Sequence, residues 1–521
     1  MERQRIFDSA TIALFVLALL GPALDQCMRP DAARDSSNAE QRAPAALPEL
    51  PRTSTELASF PRRYEDHYDD TFGLRDVLLR WNGIERALWL GVSPASTIAL
   101  ADEGWCFYLG EKAREAHRGL LPFSEAELDG WVKRLRERRD FLARLGSKYL
   151  FVPCPSKNVI YPERTGPGWE QLGPTRLEQL LLRLEREGDI PFLDLRPALR
   201  AAKEDDQFED WVYTRCGTHW NGRGIYAACQ AILTRLQADF PELALLPPRE
   251  ACKVVEQKNS TESLSRQLYL ADLLPQRQYS YQSAKRGYEV LLETPPRTGS
   301  RLVTRKNGSA PRLLWLHDSF GPFHLLCESF SYVDAQRVFE FSTDAVRAAR
   351  PDIVLETYVD RVLNYQQPYR AMVGSKTTPE EEFARLKDLA WREELGDRFP
   401  APQPFGRAQL EREEDALVLY VSRPKDGVLL PAVVLKGDQR ASLRITARCD
   451  QPIEIEIYVR AAGTSTFEAQ NLLSLQLRPG APSGTVHLPR VGARFETLVR
   501  PRSPVGELRI TALELRRGPA R

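Results

Sequence analysis

A serine that follows a short apolar run is the candidate nucleophile of this chain. The run Leu313–Leu316 has the length of a buried strand, and Asp318 and Ser319 come soon after it. Pro322 suits the first position of a helix, so the pattern predicts Ser319 at a helix N-terminus, where backbone N–H groups and the helix dipole stabilise an oxyanion. Asp-Ser pairs are also common in ordinary turns and helix caps, so this motif alone does not establish a catalytic site.

A serine hydroxyl is a weak nucleophile until a base removes its proton, and His219 is the candidate base. The chain has six histidines. His219 stands out because Trp220 and Asn221 follow it and because it precedes an amphipathic segment that begins near Gly224. Ser319 and His219 together predict acyl transfer through a covalent serine intermediate.

These two segments resemble the signature blocks of a known enzyme family. Thr218–Asn221 reads Thr-His-Trp-Asn and Asp318–Phe320 reads Asp-Ser-Phe. Both resemble blocks of the alginate O-acetyltransferase family of the AlgX/AlgJ type, which has an SGNH hydrolase-like domain. Further family-like blocks occur in the expected order, so the resemblance spans roughly residues 38 to 365. These blocks are Phe72–Arg75, Gly104–Tyr108, Pro155–Glu163 and Arg350–Glu356.

The resemblance implies a substrate, partners and further site residues. It implies O-acetylation of an exported polysaccharide, alginate or another, through an acyl-enzyme on Ser319 with His219 as the base. No soluble cofactor is implied, and the acetyl donor would be an integral-membrane O-acyltransferase, because acetyl-CoA is absent outside the cytoplasm. Lys157 and Tyr161 lie in one family block and are expected to contact the sugar or its carboxylate. The alternative is that the lysine is exposed and the tyrosine packs the loop.

Two residues depart from the family pattern. Gly217 stands where the family has its triad aspartate, two residues before the histidine, and His317 replaces a glycine. Replacing the aspartate of a serine-protease triad lowers kcat about 10⁴-fold because the imidazole is no longer held correctly. Asp318 adjoins the nucleophile, but a neighbour in a tight turn usually points elsewhere. The other candidates for the acid that orients His219 are Glu356, which ends another expected strand, and Asp360, which follows it. His317 is a further candidate.

The missing acid leaves two other functions open. A degenerate site would make the chain a non-catalytic glycan-binding scaffold, and transfer to water would make it a polysaccharide acetyl esterase. The scaffold would still bind polymer after Ser319→Ala and would turn over no acetyl in either form. The esterase would release free acetate instead of acetylated sugar.

Composition narrows the class of protein. The chain has 521 residues, of which 42% are hydrophobic, enough for a catalytic domain and a second domain. Its 72 basic and 71 acidic residues nearly cancel, so nucleic acid is not an expected partner. The eight cysteines show no zinc-like spacing, so no metal site is expected. In an oxidising compartment one or two disulfides can form, and Cys216 is either a reactive thiol or a packed residue.

The N-terminus predicts export. Arg3 and Arg5 precede the apolar run Ala10–Leu24, which at about 15 residues is shorter than a comfortable membrane span. The pattern predicts an uncleaved signal anchor, followed by a Pro- and Ala-rich linker, within residues 1–59. The body would then be periplasmic and anchored to the inner membrane, or secreted if the segment is cleaved.

The remaining chain predicts two domains. Alternating strands and helices over 60–399 predict an α/β domain with an SGNH-hydrolase-like parallel sheet flanked by helices and the site at the carboxyl ends of the strands. Prolines in 400–406 predict an extended linker, and short β-branched runs predict a β-sandwich over 407–521, either a carbohydrate-binding module or a structural or protein-docking one. The expected helices are 125–145, 177–187 and 225–236, and the expected strands of the first domain are 149–152, 190–195, 313–316, 338–341 and 352–356.

Overall fold

The structure is a computed structural model that describes most of the chain. The described residues are 2–28, 44–204, 211–260, 262–296, 299–338, 340–364, 372–374, 377–392, 401–413, 415–421, 423, 425–451, 453–467, 472–477, 479, 482–502 and 506–519.

Strands and helices alternate up to about residue 390, and the described residues beyond 400 form strands joined by turns and loops. The helices are α1 (Glu2–Met28), α2 (Ser54–Thr71), α3 (Arg75–Gly83) with a π-helical continuation Ile84–Trp89, α4 (Ala113–His117), α5 (Glu125–Arg144), α6 (Lys157–Ile160), α7 (Arg176–Glu187), α8 (Arg196–Glu204), α9 (Gly222–Leu236), α10 (Ser263–Gln267), α11 (His324–Cys327), α12 (Thr343–Ala349) and α13 (Pro379–Arg385). Short 3₁₀ turns lie at Asp102–Gly104, Gly110–Lys112, Pro162–Arg164, Arg249–Ala251 and Asp360–Asn364.

The described strands before about residue 390 mostly pair into one large sheet and three two-stranded sheets, and the last of them, Asp388–Arg392, pairs with a strand of the C-terminal region. They are β1 (Ile98–Leu100), β2 (Cys106–Tyr108), β3 (Lys148–Cys154), β4 (Lys253–Ser260), β5 (Gln276–Gln282), β6 (Glu289–Glu293), β7 (Arg301–Arg305), β8 (Arg312–His317), β9 (Tyr332–Arg337), β10 (Phe341–Ser342), β11 (Ile353–Val359), β12 (Met372–Val373) and β13 (Asp388–Arg392).

A six-stranded sheet forms the core of the α/β domain, in the order β3-β11-β8-β9-β7-β6. The first four strands are parallel, and β7 and β6 add an antiparallel edge. Every residue of β8 and β11 is buried, as expected for parallel strands covered on both faces. The predicted SGNH-hydrolase-like sheet flanked by helices is confirmed, with an antiparallel edge that the sequence pattern had not indicated.

Capping residues explain where two of the flanking helices begin. Ser124 accepts a hydrogen bond from the Glu127 N–H, and the Glu127 carboxylate accepts from the Ser124 N–H, so a capping box opens α5. Thr175 and Glu178 do the same for α7, which ends at Gly188 in the left-handed conformation (φ 68°).

Three expectations for this domain need correction. The strand expected at 338–341 lies earlier, at Tyr332–Arg337. The run 190–195 is not a strand, because only Phe192 pairs, through a single bridge to Phe151. The section after Cys252, where no strand was expected, contains the hairpin of β4 and β5. Its polar, charged residues hide the alternation that marks a strand in an apolar run.

The C-terminal strands build two facing sheets, and the predicted β-sandwich is confirmed. Leu443, Ile445 and Ala447 are buried and alternate with more exposed neighbours, the pattern of a strand with one face in a core. The sheet orders are β15-β16-β23-β18-β21, with β13 also paired to β23, and β14-β17-β22-β19-β20. The strands are β14 (Gln403–Phe405), β15 (Gln409–Arg412), β16 (Leu417–Val421), β17 (Gly427–Val434), β18 (Gln439–Arg448), β19 (Ile453–Ala461), β20 (Leu472–Leu477), β21 (Ser483–Leu488), β22 (Arg494–Pro501) and β23 (Gly506–Pro519).

The expected linker around residues 400–406 is replaced in part by a strand. Pro400 lies outside the described residues, and Gln403–Phe405 already pairs with β17. Strand β13 precedes this segment and pairs with β23. The sandwich therefore includes residues on both sides of the proline-rich stretch.

Two buried or half-buried ion pairs join the α/β domain to the sandwich. Arg312 Nη1 lies 2.6 Å from Glu454 Oε1, with exposed side-chain fractions of 6% and 20%. Arg305 Nη1 lies 3.4 Å from Glu456 Oε1. Because the partners lie in different domains, these contacts couple the two cores.

Helix α1 is long and apolar enough to cross a membrane. Its stretch Phe7–Met28 has 22 residues and contains an 18-residue window with mean hydropathy 1.9 and 0% buried. The helix extends on either side of the apolar run Ala10–Leu24. It is therefore long enough to span a membrane, which the run alone is not. A signal sequence at the N-terminus has the same properties, so the helix is compatible with a signal anchor.

Candidate functional site

Ser319 lies in a turn at the carboxyl end of β8. The helix that follows begins at His324, not at Pro322, and has four residues. Ser319 is therefore not at a helix N-terminus, and the expected contribution of a helix dipole is wrong. The carboxyl edge of a parallel sheet is still the usual place for a ligand site in such folds.

Asp318 explains why the chain turns here without starting a helix. Its Oδ1 accepts a hydrogen bond from the Phe320 N–H (2.8 Å), and its Oδ2 accepts from the Val359 N–H (2.8 Å). The first bond folds Asp318-Ser319-Phe320 into a tight turn, and the second fixes this turn to the end of β11. Both carboxylate oxygens hold backbone, so Asp318 does not take the role of the missing triad acid.

His219 comes to this turn from the loop that precedes α9. Its ring lies 5.1 Å from the ring of Phe320, the residue after Ser319. Nδ1 lies 3.3 Å from Thr218 Oγ1, and Nε2 is buried with no hydrogen-bond partner in the described part of the chain. The structure thus brings His219 and the serine turn together, although no hydrogen bond joins His219 to Ser319.

The surroundings of His219 keep its imidazole neutral. Burial, with Arg361 and Arg337 nearby, lowers the pKa of His219 to about 4. Arg361 follows β11, and Arg337 ends β9, opposite His317 in the sheet register. No sequence signal pointed to these two arginines, because each reaches the site only through the order of the strands.

Glu356 and Asp360 do not support His219. Glu356 is fully buried and paired with Arg138 of α5 (2.8 Å), and it also accepts a hydrogen bond from Tyr149. Asp360 accepts a hydrogen bond from Ser156, and burial raises its pKa. Both expected replacements for the triad acid are therefore engaged elsewhere.

His317 packs inside the domain. Its ring is fully buried, lies 5.5 Å from that of Trp315, and places Nδ1 2.6 Å from the Asp318 carbonyl oxygen. A Cβ at Gly321 would come within 3.0 Å of both rings, so a glycine is needed there for the turn to close over them. The histidine thus fills the space under the serine turn.

The space beside Gly217 is occupied by another acid. A Cβ at Gly217 would lie 2.3 Å from Glu262 Oε2 and 2.3 Å from Thr214 Oγ1. Glu262 is buried, hydrogen-bonded by Gln278 and Thr214, and burial raises its pKa. A carboxylate from α10's N-terminal cap therefore lies where the side chain of the usual aspartate would begin. Sequence reasoning missed Glu262, which is distant along the chain and lies in a segment where no helix or strand was expected.

Lys157 is a structural centre of the loop before His219. Its side chain is buried, and Nζ lies 2.5–3.0 Å from the carbonyl oxygens of Cys106, Thr214, Arg215 and Gly217. Burial lowers the pKa of Lys157 to about 8. An ammonium held by these backbone oxygens points inward, which corrects the expectation that Lys157 contacts sugar.

Tyr161 also packs in the interior. It is 1% exposed, its hydroxyl accepts a hydrogen bond from the Val212 N–H (3.0 Å), and its ring lies 4.8 Å from that of Trp105. The packing alternative, and not the sugar contact, describes its position. Within the described residues, no group of three or more His, Cys, Asp or Glu side chains could hold a metal ion.

Comparison with known proteins agrees with the motifs. Residues 98–302 match the family model of the SGNH hydrolase-like domain of acetyltransferase AlgX, a range that contains His219 and ends before Ser319. A probable alginate O-acetylase AlgJ of Pseudomonas syringae pv. tomato is 27% identical over 169 residues, which are 32% of this chain and 40% of that protein. The chain thus spans well under two thirds of this curated relative.

Two solved structures are similar at low identity. The O-acetyltransferase domain of Pseudomonas putida AlgJ is 18% identical and covers 52% of this chain and 93% of its own, with a TM-score of 0.34. Pseudomonas aeruginosa AlgX is 14% identical, and the match covers 81% of this chain and 94% of AlgX, with a TM-score of 0.35. The family resemblance expected from the motifs is confirmed by the match of residues 98–302 to this family model and by the similarity to the AlgJ relative.

Proposed function

We propose that this chain O-acetylates an exported polysaccharide through an acetyl-serine at Ser319. The observation that carries the proposal is a half-buried, neutral imidazole, with a buried and unpartnered Nε2, against the turn that holds Ser319. The match to an acetyltransferase family supports acetyl as the group that is transferred. The alginate O-acetylase relative supports a polysaccharide as the acceptor.

The reaction needs two transfers that use the same pair of residues. His219 Nε2 takes the proton of Ser319 Oγ as Oγ attacks the acetyl carbonyl of the donor, and the proton passes to the leaving group. In the second transfer, His219 takes the proton of a sugar hydroxyl as that oxygen attacks the acetyl-serine. Ser319 then regains its proton, and the sugar carries the ester. The guanidinium groups of Arg361 and Arg337 favour the negative charge that develops on the carbonyl oxygen.

Glu262 supports this chemistry from a distance as a positioning residue. It hydrogen-bonds Thr214, whose N–H lies 3.3 Å from the His219 carbonyl oxygen. The carboxylate beside Gly217 thus braces the loop whose far end carries His219. This arrangement offers a reason why an aspartate at position 217 is dispensable in this chain.

The acetyl donor and the location follow from the same proposal. Helix α1 would anchor the chain in the inner membrane, with both domains in the periplasm. An integral-membrane O-acyltransferase would deliver the acetyl group across the membrane, so no soluble cofactor is needed. The β-sandwich would hold the polymer near Ser319 as a carbohydrate-binding module.

The test is the mass of the intact protein after exposure to an activated acetyl ester. We expect the full chain, in detergent, to gain one acetyl group that maps to Ser319. Ser319→Ala and His219→Ala should gain none at this position. A matched control, Ser329→Ala, changes a buried serine beyond α11 and should label like the unchanged chain.

The outcomes separate the proposal from its two alternatives. An acetyl-serine that passes its acetyl to an oligosaccharide supports the transferase. An acetyl-serine that yields only free acetate supports an esterase. No adduct in a folded chain, with polymer binding that survives Ser319→Ala, would overturn the proposal in favour of a glycan-binding scaffold.

A further inference from the structure

Two cysteines meet next to the loop that carries His219. Cys106 lies in β2, and Cys216 lies three residues before His219 along the chain. Their Sγ atoms are 3.1 Å apart, and both residues are buried and present as free thiols. A gap of this size needs only a small movement of the side chains to become a covalent bond.

The backbone holds the two segments together without help from the sulfur atoms. The Cys106 N–H donates to the Arg215 carbonyl oxygen (3.0 Å), and the Cys216 N–H donates to Gln276 Oε1 (3.0 Å). Lys157 Nζ contacts the carbonyl oxygens of Cys106 and Arg215 together. The two thiols are therefore fixed in position before any bond forms between them.

We propose that Cys106 and Cys216 form a disulfide that ties β2 to the loop before His219. The oxidant is a disulfide of the thiol–disulfide exchange class, either oxidised glutathione or the active-site disulfide of an oxidoreductase. The Cys216 thiolate attacks one sulfur of that disulfide and forms a mixed disulfide, and the other sulfur leaves as a thiolate. The Cys106 thiolate then attacks Cys216 Sγ, so the second sulfur of the oxidant leaves. Two protons and two electrons pass from the cysteine pair to the oxidant.

The environment favours Cys216 as the attacking thiol. The hydrogen bond from the Cys106 thiol lowers the pKa of Cys216, and the charges of Lys157 and Arg215 lower it further, against the opposing effect of burial. Cys106 is the resolving thiol, because it donates to Cys216 and its own pKa is raised by that bond and by burial.

The bond would constrain a long stretch of chain. The two residues are 110 positions apart, and a cross-link over so long a loop removes much conformational freedom from the unfolded chain. It would also tether the chain directly before Gly217 and so limit movement of the His219 loop. The inference does not depend on the proposed acetyl transfer, because it concerns the thiols alone.

The experiment counts thiols on the full chain in detergent. The protein is unfolded and refolded in a glutathione buffer rich in the oxidised form, denatured in acid, and alkylated without reductant. We expect six of the eight cysteines to be alkylated and a peptide pair linked through Cys106 and Cys216. Cys106→Ser and Cys216→Ser should each lose this linked pair. Cys229→Ser, which removes another buried thiol, should keep it.

A second readout measures the effect of the bond. Reductant should lower the thermal midpoint of the oxidised chain and of Cys229→Ser, by an amount on the order of 10 °C. The midpoint of the Cys106→Ser/Cys216→Ser chain should not respond to reductant. Eight alkylated cysteines in the refolded chain, or a linked pair that joins other cysteines, would overturn the proposal.

Discussion

The charges around His219 set the pH range of the proposed reaction. His219 accepts a proton only when it is neutral, and its pKa is lowered to about 4 by burial and by two arginines. Activity should therefore be constant from neutral pH down to about pH 5 and should fall as the pH drops through about 4. The measurement is the rate of acetyl-Ser319 formation against pH.

Removing one of the arginines should shift the pH at which activity is lost. Arg361→Gln takes away a positive charge, so the pKa of His219 rises toward its ordinary value and activity is lost at a higher pH. Arg509→Gln, on the sandwich in an ion pair with Glu413, is the matched control and should leave the profile unchanged. An Arg361→Gln profile identical to the original would show that Arg361 does not act on His219.

Restoring the aspartate of the family pattern should harm this chain. A Cβ at position 217 meets Glu262 Oε2 and Thr214 Oγ1 at 2.3 Å, so Gly217→Asp forces the loop to move and crowds two carboxylates. Because a displacement of about 1 Å in a catalytic group can cost about 100-fold, we expect a loss of that order in the rate of Ser319 acetylation.

The matched variants separate crowding from chemistry. Gly217→Ala should lose activity as well, since it has the same Cβ. Gly217→Asp combined with Glu262→Ala frees the space and should recover part of the rate. A faster single Gly217→Asp variant would mean that Glu262 moves aside at little cost and that the imidazole lacked an acid.

At this scale the sequence indicated candidate residues but not their surroundings. Ser319 and His219 were recognisable because each lies in a short block with a family pattern. Glu262 and Arg337 were not, since each reaches the site through pairing of distant segments, which no local pattern encodes. Lys157 was misassigned because a lysine in a loop is usually exposed, whereas here backbone carbonyl oxygens replace its water.

The loop before α9 depends on a single buried cation. Lys157→Met keeps much of the side-chain volume but leaves four carbonyl oxygens without their shared donor. We expect the free energy of unfolding to fall by about 3 kcal/mol, because buried acceptors without a partner are costly. Urea unfolding gives the loss, and hydrogen exchange of the amides of residues 214–217 should rise most.

Lys148→Met is the control for this change. Lys148 starts β3, is 57% exposed, and pairs with Asp239 at 3.2 Å on the surface. Its loss should change stability by less than about 1 kcal/mol. Equal effects of the two variants would contradict the special role of Lys157 in holding the loop.

Strong periodic elements were predictable, and elements made by long-range pairing were not. Helices α5 and α7 follow from capping boxes and an apolar stripe, and β8 and β11 follow from short apolar runs. The helix start predicted at Pro322 was wrong. Proline suits the first position of a helix, but the hydrogen bonds of Asp318 favour a turn here. One of these hydrogen bonds comes from Val359 at the end of another strand, and the sequence does not show that this strand lies beside Asp318.

On the scale of the whole molecule, one ion pair offers a test of whether the two cores unfold together. Arg312 is nearly buried between the α/β sheet and the sandwich, and Glu454 also binds Arg502. Glu454→Ala leaves a buried guanidinium without its carboxylate, which costs about 3 kcal/mol when partners are this buried. We expect calorimetry to show one unfolding transition for the unchanged chain and two for Glu454→Ala, with the sandwich or the α/β domain melting first.

A double-mutant cycle distinguishes coupling between domains from damage within the sandwich. If Arg312 and Glu454 act mainly on each other, adding Arg312→Met to Glu454→Ala should cost little more than Glu454→Ala alone, because the stranded charge is gone. Glu413→Ala is the control, since its partner Arg509 lies in the same domain, and it should leave one transition. Additive losses in the cycle would show that the two side chains stabilise their own domains separately.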